Sequence, residues 1–381
     1  MKRSTRRSHD LNNAAQLNVL YIPSRVLARL GDQPDMLCED LPRTILIRKG
    51  RKMDDLTWVD EIKITSIVDN FVDLLLIVDN FVDLLLQNEG PAQRRPRQEK
   101  AFERCLCAEH GLAEVVQSAR ETERFALLFD FGATPLVYLN NLQLLIEDYG
   151  FDLAQVRTLV LSHGHWDHYG GLSGFLEAKR HELAQETRLY AGEDAFLHRW
   201  SQSRQGPRRD MGRLDEAFIT GQGIDIVPIK EPHVLGGQAL VSGEIPRRTP
   251  YEVSSPAMRV EQAGREQQDE LPGEQALIYQ LHGKGLVVLT ACGHAGVVNT
   301  VLHAQEVTGI SDIYAVIGGF HLSGASDERI GQTVEGLAAL DPEVIVPMHC
   351  TGLATIEALQ QRLPGRIIYN SAGTQYTLSG G

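Results

Sequence analysis

The chain has 381 residues, 50 acidic and 37 basic, a formal net charge of −13, and 43% hydrophobic residues, enough to bury a large core and to exclude global disorder. The acidic balance argues against nucleic acid as a partner, since such binding rests on Lys and Arg neutralising phosphates, and no run of about 18 apolar residues exists to span a membrane. Five cysteines, Cys38, Cys105, Cys107, Cys292 and Cys350, are an odd and sparse set that suits a reducing, cytoplasmic setting better than a disulfide scaffold.

In chain order, the opening MKRSTRRSHD carries Lys2, Arg3, Arg6 and Arg7, but no compact apolar stretch follows, so it does not read as a secretory signal. Its Arg- and Ser-rich character is also that of an organellar transit peptide. The plainer expectation is that residues 1–52 lie outside the folded unit, as a disordered extension or a stretch before a true start at Met53. Strand periodicity begins only in EIKITSIVDN (61–70). Residues 67–76, IVDNFVDLLL, recur letter for letter at 77–86. One tandem decamer is not a solenoid, which needs a longer period and several copies. Only one copy can occupy the native strand, and an even period keeps the same face inward in either case.

A polar linker near 87–104 follows, and 53–381 then reads as a single domain. Candidate strands are 125–130, 158–162, 224–229, 286–290, 313–317, 343–347 and 366–369. Between them Leu139, Leu142, Leu145, Ile146 and Tyr149 share a helical face that stops at Gly150, and further helices are expected at 296–308, 327–340 and 353–362. This alternation predicts an α/β architecture of sheets covered by helices, with loop insertions within 180–275. Cys105-Leu106-Cys107 is too tight for a CxxC pair and is expected in a strand.

The main chemical signal is Ser162-His163-Gly164-His165-Trp166-Asp167-His168, directly after the strand at 158–162. Four potential ligands in six residues converge on one or two cations only from a turn at a strand end. Imidazole and carboxylate are donors that zinc, iron and manganese accept. His294, His321 and His349 also stand just past apolar strands, where a sheet fixes the backbone and a loop frees the side chain. His233 lies in an unremarkable loop. A GxGxxG, a Walker A loop and an HExxH helix are all absent.

SHGHWDH followed by GGL resembles the HxHxDH signature of the metallo-β-lactamase fold superfamily. ITSIVDN, AEHGLA, SGEIPR, EQALIY, LTACGHAGVVN, IGGFHL and PMHCTG resemble, in order, blocks of its dihydropterin ribofuranosylaminobenzene-phosphate synthase-like branch. The resemblance spans 62 to about 355. It implies a four-layer αββα sandwich with a one- or two-metal centre, most simply zinc, with manganese or iron as alternatives. His163 and His165 would hold the first ion; Asp167, His168 and His349 would hold the second. The bridging Asp usual in the superfamily is missing from Thr290-Ala291-Cys292-Gly293-His294, so Cys292 or His294 must take its place. We assign His294 as the ligand and leave Cys292 beside the metal.

The resemblance implies a hydrolase, because a bound metal lowers the pKa of water from ~16 toward ~7. Asp167 would orient that water and His321 would protonate the leaving group. An ester, lactone or phosphoester-type small molecule is the expected substrate. Asn70 or Asn80, from the two decamers, and Arg247 are candidate substrate contacts. Arg-rich stretches at 94–104 and 199–213 suggest an anionic, phosphorylated substrate. Alternatives are a transferase resembling the synthase and a metal-binding sensor without turnover. A diiron oxygen reductase fits poorly, since that group normally has Glu where this chain has His165. Self-association is left open.

Overall fold

A computed structural model describes residues 55–70, 86–95, 105–202 and 206–381. The expectations for 1–52, for Asn80 and for nearly all of the second decamer fall outside these residues. In the first decamer, Ile67 and Val68 complete the strand Glu61–Val68, with Asp69 and Asn70 just past its end.

One sheet of eight strands runs in the spatial order Asp225–Ile229, Arg188–Gly192, Thr158–Leu161, Glu123–Phe129, Ala113–Arg120, Glu61–Val68, Gln375–Ser379 and Ala92–Gln93. The first four are mutually parallel and the remaining pairings are antiparallel. A second sheet runs His233–Leu235, Ala239–Val241, Leu277–Leu281, Gly285–Thr290, Ile313–Gly319 and Val344–Met348, with Trp58–Val59 also pairing to Leu277–Leu281. Its last three strands are parallel.

Residue alternation explains the layering. In Glu123–Phe129, Leu127 and Phe129 point toward the second sheet, while Ala126 and Leu128 point outward to helices. Val160 likewise faces inward and Leu159 and Leu161 outward. Both faces are apolar because both are covered, as parallel strands require. The outer face of the first sheet meets Tyr138, Leu142 and Leu145 of the helix Pro135–Tyr149, and Leu172, Phe175 and Leu176 of Leu172–Lys179. The second sheet is covered by Val301 of Val297–Thr308, Leu337 of Asp327–Leu340 and Leu359 of Leu353–Arg362. The result is the expected four-layer αββα sandwich. Each buried Leu, Val or Phe contributes about 1.5–3 kcal/mol relative to exposure.

The helix stops read from sequence hold. Thr134 caps the first long helix through Val137 N, and Gly150 ends it at φ 70. Two expectations fail. The stretch 366–369 makes one parallel bridge, Ile367 to Ile345, held by Ile345 N on the Arg366 carbonyl and Ile368 N on the Ile345 carbonyl, too short a pairing to form a strand. The segment at Cys105 and Cys107 is not a strand: Asn141 bonds both the N–H and the carbonyl of Cys107, standing in for a strand partner. Within 180–275 there is more order than expected, a four-stranded sheet of Arg199–Ser201, Arg209–Gly212, Met258–Gln262 and Arg265–Gln268. No helix among the described residues is long and apolar enough to cross a membrane.

Candidate metal centre

The predicted ligands gather at the C-terminal ends of parallel strands. Thr158–Leu161 leads into the loop of His163 and His165, then into the short helix Trp166–Tyr169 that carries Asp167 and His168. Gly164 is obligatory between the first two histidines, since a Cβ there would run into the Ala195 carbonyl. Gly285–Thr290 delivers Cys292 and His294, Ile313–Gly319 delivers His321, and Val344–Met348 delivers His349. His321 (φ 46), His349 (φ 51) and Asp130 (φ 59) all adopt left-handed backbone, which non-glycine residues rarely do.

Two donor groups result. In one, ligand atoms of Asp167, His168, Cys292 and His349 lie within 4.8 Å of one another; in the other, His163, Cys292 and His294 do so. His165 joins the second group: its Nδ1 is 3.1 Å from His163 Nε2, close to the roughly 3.3 Å separating two nitrogens on one tetrahedral zinc. Its ring lies 4.8 Å from that of His294. His165 Nε2, His294 Nε2 and His349 Nε2 are buried without a hydrogen-bond partner. Buried polar atoms are normally paired, so the unpaired nitrogens of His294 and His349, each inside one of the two donor groups, fit a cation. The residues present therefore suit the metal that the fold implies.

Buried carboxylates brace the ligands. Asp130 Oδ2 lies 2.6 Å from His168 Nδ1 and accepts from Ser162 Oγ, whose oxygen is 2.8 Å from His163 Nδ1. Asp69 accepts from His349 N and Asn70 N, and Glu274 accepts from His294 N and Ala295 N. Such partners fix ring orientation and tautomer. Burial pushes His163, His165 and His294 well below the ordinary imidazole pKa, leaving lone pairs available for metal. Burial acts the same way on His168, but Asp167 and Asp130 outweigh it and raise the pKa to about 9. Burial would raise Asp167, yet His168, His110 and His349 hold it well below the usual carboxylate range.

Other predicted site residues are placed differently. Asn70 reaches the centre as a support: Nδ2 donates to the His349 carbonyl, and Oδ1 lies 3.1 Å from His349 Nδ1. Arg247 donates to the carbonyls of Glu270 and His294. The His321 ring lies 4.1 Å from the His294 ring, tilted 52° to it, near Cys292 and Cys350. Arg199, counted from the sequence among basic residues open to an anion, is fully buried between Asp194 and Asp269, so its charge is spent internally. His233 is exposed, stacks on Tyr190, and belongs to neither group.

Four contributors escaped sequence reasoning. His110, inside the AEHGLA block, has a 56% exposed side chain with Nε2 3.3 Å from Asp167 Oδ2 and its ring 4.9 Å from that of His349. Its contact with Asp167 raises its pKa. Asp130 and Glu274 are distant in sequence from the ligands they brace. Cys350 lies with its sulfur 3.4 Å from Cys292 Sγ. The strand-end position of Asp130 in FALLFD was the available signal for it.

Comparison with known proteins agrees with this architecture. Residues 116–256 match the model of the metallo-β-lactamase superfamily. An uncharacterised protein of Methanocaldococcus jannaschii is 32% identical over 254 residues, covering 67% of this chain and 88% of that protein. The 7,8-dihydropterin-6-methyl-4-(β-D-ribofuranosyl)-aminobenzene-5'-phosphate synthase of the same organism is 29% identical over 261 residues, 64% of this chain and 82% of the synthase. A crystal structure of a metal-dependent hydrolase of the β-lactamase superfamily superposes with a TM-score of 0.62 at 24% identity, over 84% of this chain and 99% of that one. The chain belongs to the metallo-β-lactamase superfamily, among the relatives of the dihydropterin ribofuranosylaminobenzene-phosphate synthase.

Proposed function

We propose that the chain is a metal-dependent hydrolase of a small ester, lactone or phosphoester. The observation that carries this reading is the pair of buried donor groups that meet at Cys292, with His294 Nε2 and His349 Nε2 left without a hydrogen-bond partner. His163, His165 and His294 would hold one ion and Asp167, His168 and His349 a second, with the Cys292 thiol common to both groups. Zinc is the occupant that best suits imidazole, carboxylate and thiol together. A bound divalent ion supplies acidified water and polarises a substrate oxygen.

The chain's own residues do the rest. Asp167 Oδ2, between His110, His349 and His168, is fixed by those rings and orients what enters among them. His110 is the half-exposed imidazole beside Asp167, next to the partly exposed Trp166. We assign to its Nε2 the proton handed to the leaving group, the role the sequence suggested for His321. The hairpin Arg199–Ser201 and Arg209–Gly212 is tied to the site helix by Tyr169, whose hydroxyl donates to the Met211 carbonyl. Its exposed Arg209 supports an anionic substrate, whose KM should then rise with ionic strength, whereas Arg208 is paired with Glu266.

The test combines elemental analysis of purified protein with a panel of small esters and phosphodiesters. His163→Ala and Asp167→Ala should each abolish metal retention and turnover; activity retained after either change contradicts the reading. The kinship with the synthase favours a second reading, transfer to a pterin, which a pterin-dependent rise in thermal stability would support.

A further inference from the structure

Three neighbouring parallel strands of the second sheet each end near a donor that the catalytic reading does not fully use. Cys292 follows Gly285–Thr290, His321 follows Ile313–Gly319, and Cys350 lies in the turn after Val344–Met348. The outer two strands are separated by the middle one, so their thiols meet only if the middle strand leaves room. Gly319 leaves it: a Cβ there would stand 2.9 Å from Cys350 Sγ and collide with the Ala291 carbonyl. Across this gap the sulfurs are 3.4 Å apart, and the donor atoms of Cys292, His321 and Cys350 all lie within 4.8 Å of one another. His321 Nδ1 is buried with no hydrogen-bond partner.

Two magnitudes separate the ways such a cluster can be used. Two sulfurs on one tetrahedral zinc, each about 2.3 Å from it, stand roughly 3.8 Å apart. Two sulfurs in a disulfide stand about 2.05 Å apart. The observed spacing is a few tenths of an ångström from the first arrangement and more than 1 Å from the second.

We propose that Cys292, His321 and Cys350 form a third, sulfur-rich position that takes zinc, with Cys292 shared with the two groups described above. The proposal rests on the metal reading of those groups only through that shared thiol. Binding releases the thiol protons of both cysteines to solvent. Two thiolates and an imidazole select zinc over magnesium or manganese. Because Cys292 is two residues from His294 and Cys350 adjoins His349, an ion here ties the loops of both catalytic groups to one another.

The test uses the whole chain, stripped of metal under reducing conditions and titrated with cobalt(II), with zinc loading measured in parallel by elemental analysis. Wild type should retain one equivalent more zinc than Cys350→Ser, and the thiolate-to-cobalt charge-transfer band should fall to about half in that variant, one of two sulfurs being lost. His321→Gln, at a partly exposed position, should lose the same equivalent and guards against a folding defect in the cysteine variant. Equal zinc content and equal charge transfer in all three proteins overturn the proposal. So does a two-hydrogen mass loss joining Cys292 to Cys350 in protein isolated without reductant. Failure of the hydrolase reading has a different signature, full metal retention in His163→Ala.

Discussion

His168 and His349 reach the centre with their second ring nitrogen already engaged, by Asp130 at 2.6 Å and by Asn70 at 3.1 Å. On the other side of Cys292, the rings of His165 and His294 hold no carboxylate or amide among the described residues. They are placed by backbone instead, through Gly164 and through Glu274 on the His294 N–H. The difference teaches which half of the centre is preorganised. The group of Asp167, His168 and His349 is aimed before any ion arrives, whereas in the other group only His163 is braced, through Ser162 and Asp130, and His165 and His294 depend on packing and on the ion itself.

The largest effect should come from the preorganised side. His110→Gln removes the proton carrier next to Asp167 and should cut turnover of any ester in the panel by roughly 10²–10⁴-fold, with metal content unchanged. A loss of metal instead would make His110 a support of Asp167. Asp130→Ala breaks the asymmetry, because Asp130 touches His168 directly and His163 through Ser162. Metal affinity in chelator competition should fall about 10–100-fold. Asn70→Ala, which touches His349, His110 and the Gly111 N–H but neither His163 nor His168, should cost less metal affinity, and an equal or larger loss would contradict the ranking of the supports.

Proton release sharpens the same contrast. Without an ion His168 carries a proton up to about pH 9, held by Asp167 and Asp130, while burial keeps His163, His165 and His294 neutral. Metal entering the His168 group must displace that proton, so its affinity should weaken about tenfold for each pH unit below 9. The group of His163, His165 and His294 has no such imidazole proton to displace and should show a weaker pH dependence. Calorimetry in buffers of different ionisation enthalpy counts the protons, and equal release at both sites would remove the distinction.

The smallest effect lies beneath the site. Glu114 is fully buried, and burial together with Asp69 pushes its pKa well above 4.5. A raised folded-state pKa in an acid favours the protonated fold, so its contribution is present below pH 4.5 and is lost as pH rises toward the folded value. Glu114→Gln should therefore gain stability over wild type from pH 5 upward, by at most about 1.4 kcal/mol per pH unit, with no gain near pH 4. A thermal-melt difference independent of pH would contradict this.

What could be read from the sequence follows the same divide between local and distant signals. Gly150, the 3.6-residue face of Leu142 and Leu145, and the apolar runs at 158–162 and 313–317 are local, and they mark their elements correctly. The ligand loop was legible because its donors crowd into six residues. Asp130, Glu274 and Cys350 were not, since each acts through a partner brought near only by sheet topology. The strand Ala113–Arg120 was missed because Glu114, Gln117 and Arg120 blur its alternation. The 366–369 run failed for the opposite reason: its local pattern is right, but its pairing with the sheet edge is confined to the bonds around Ile345.

The central claim is that segments distant in sequence close around divalent ions through imidazole and sulfur. X-ray absorption at the metal edge of the zinc-loaded protein tests it directly. The account predicts a shell of nitrogen at about 2.0–2.1 Å with a sulfur contribution near 2.3 Å that weakens on Cys292→Ser. An oxygen-only shell, as an ion loosely held at the surface would give, or a spectrum unchanged by removing Cys292, would contradict it.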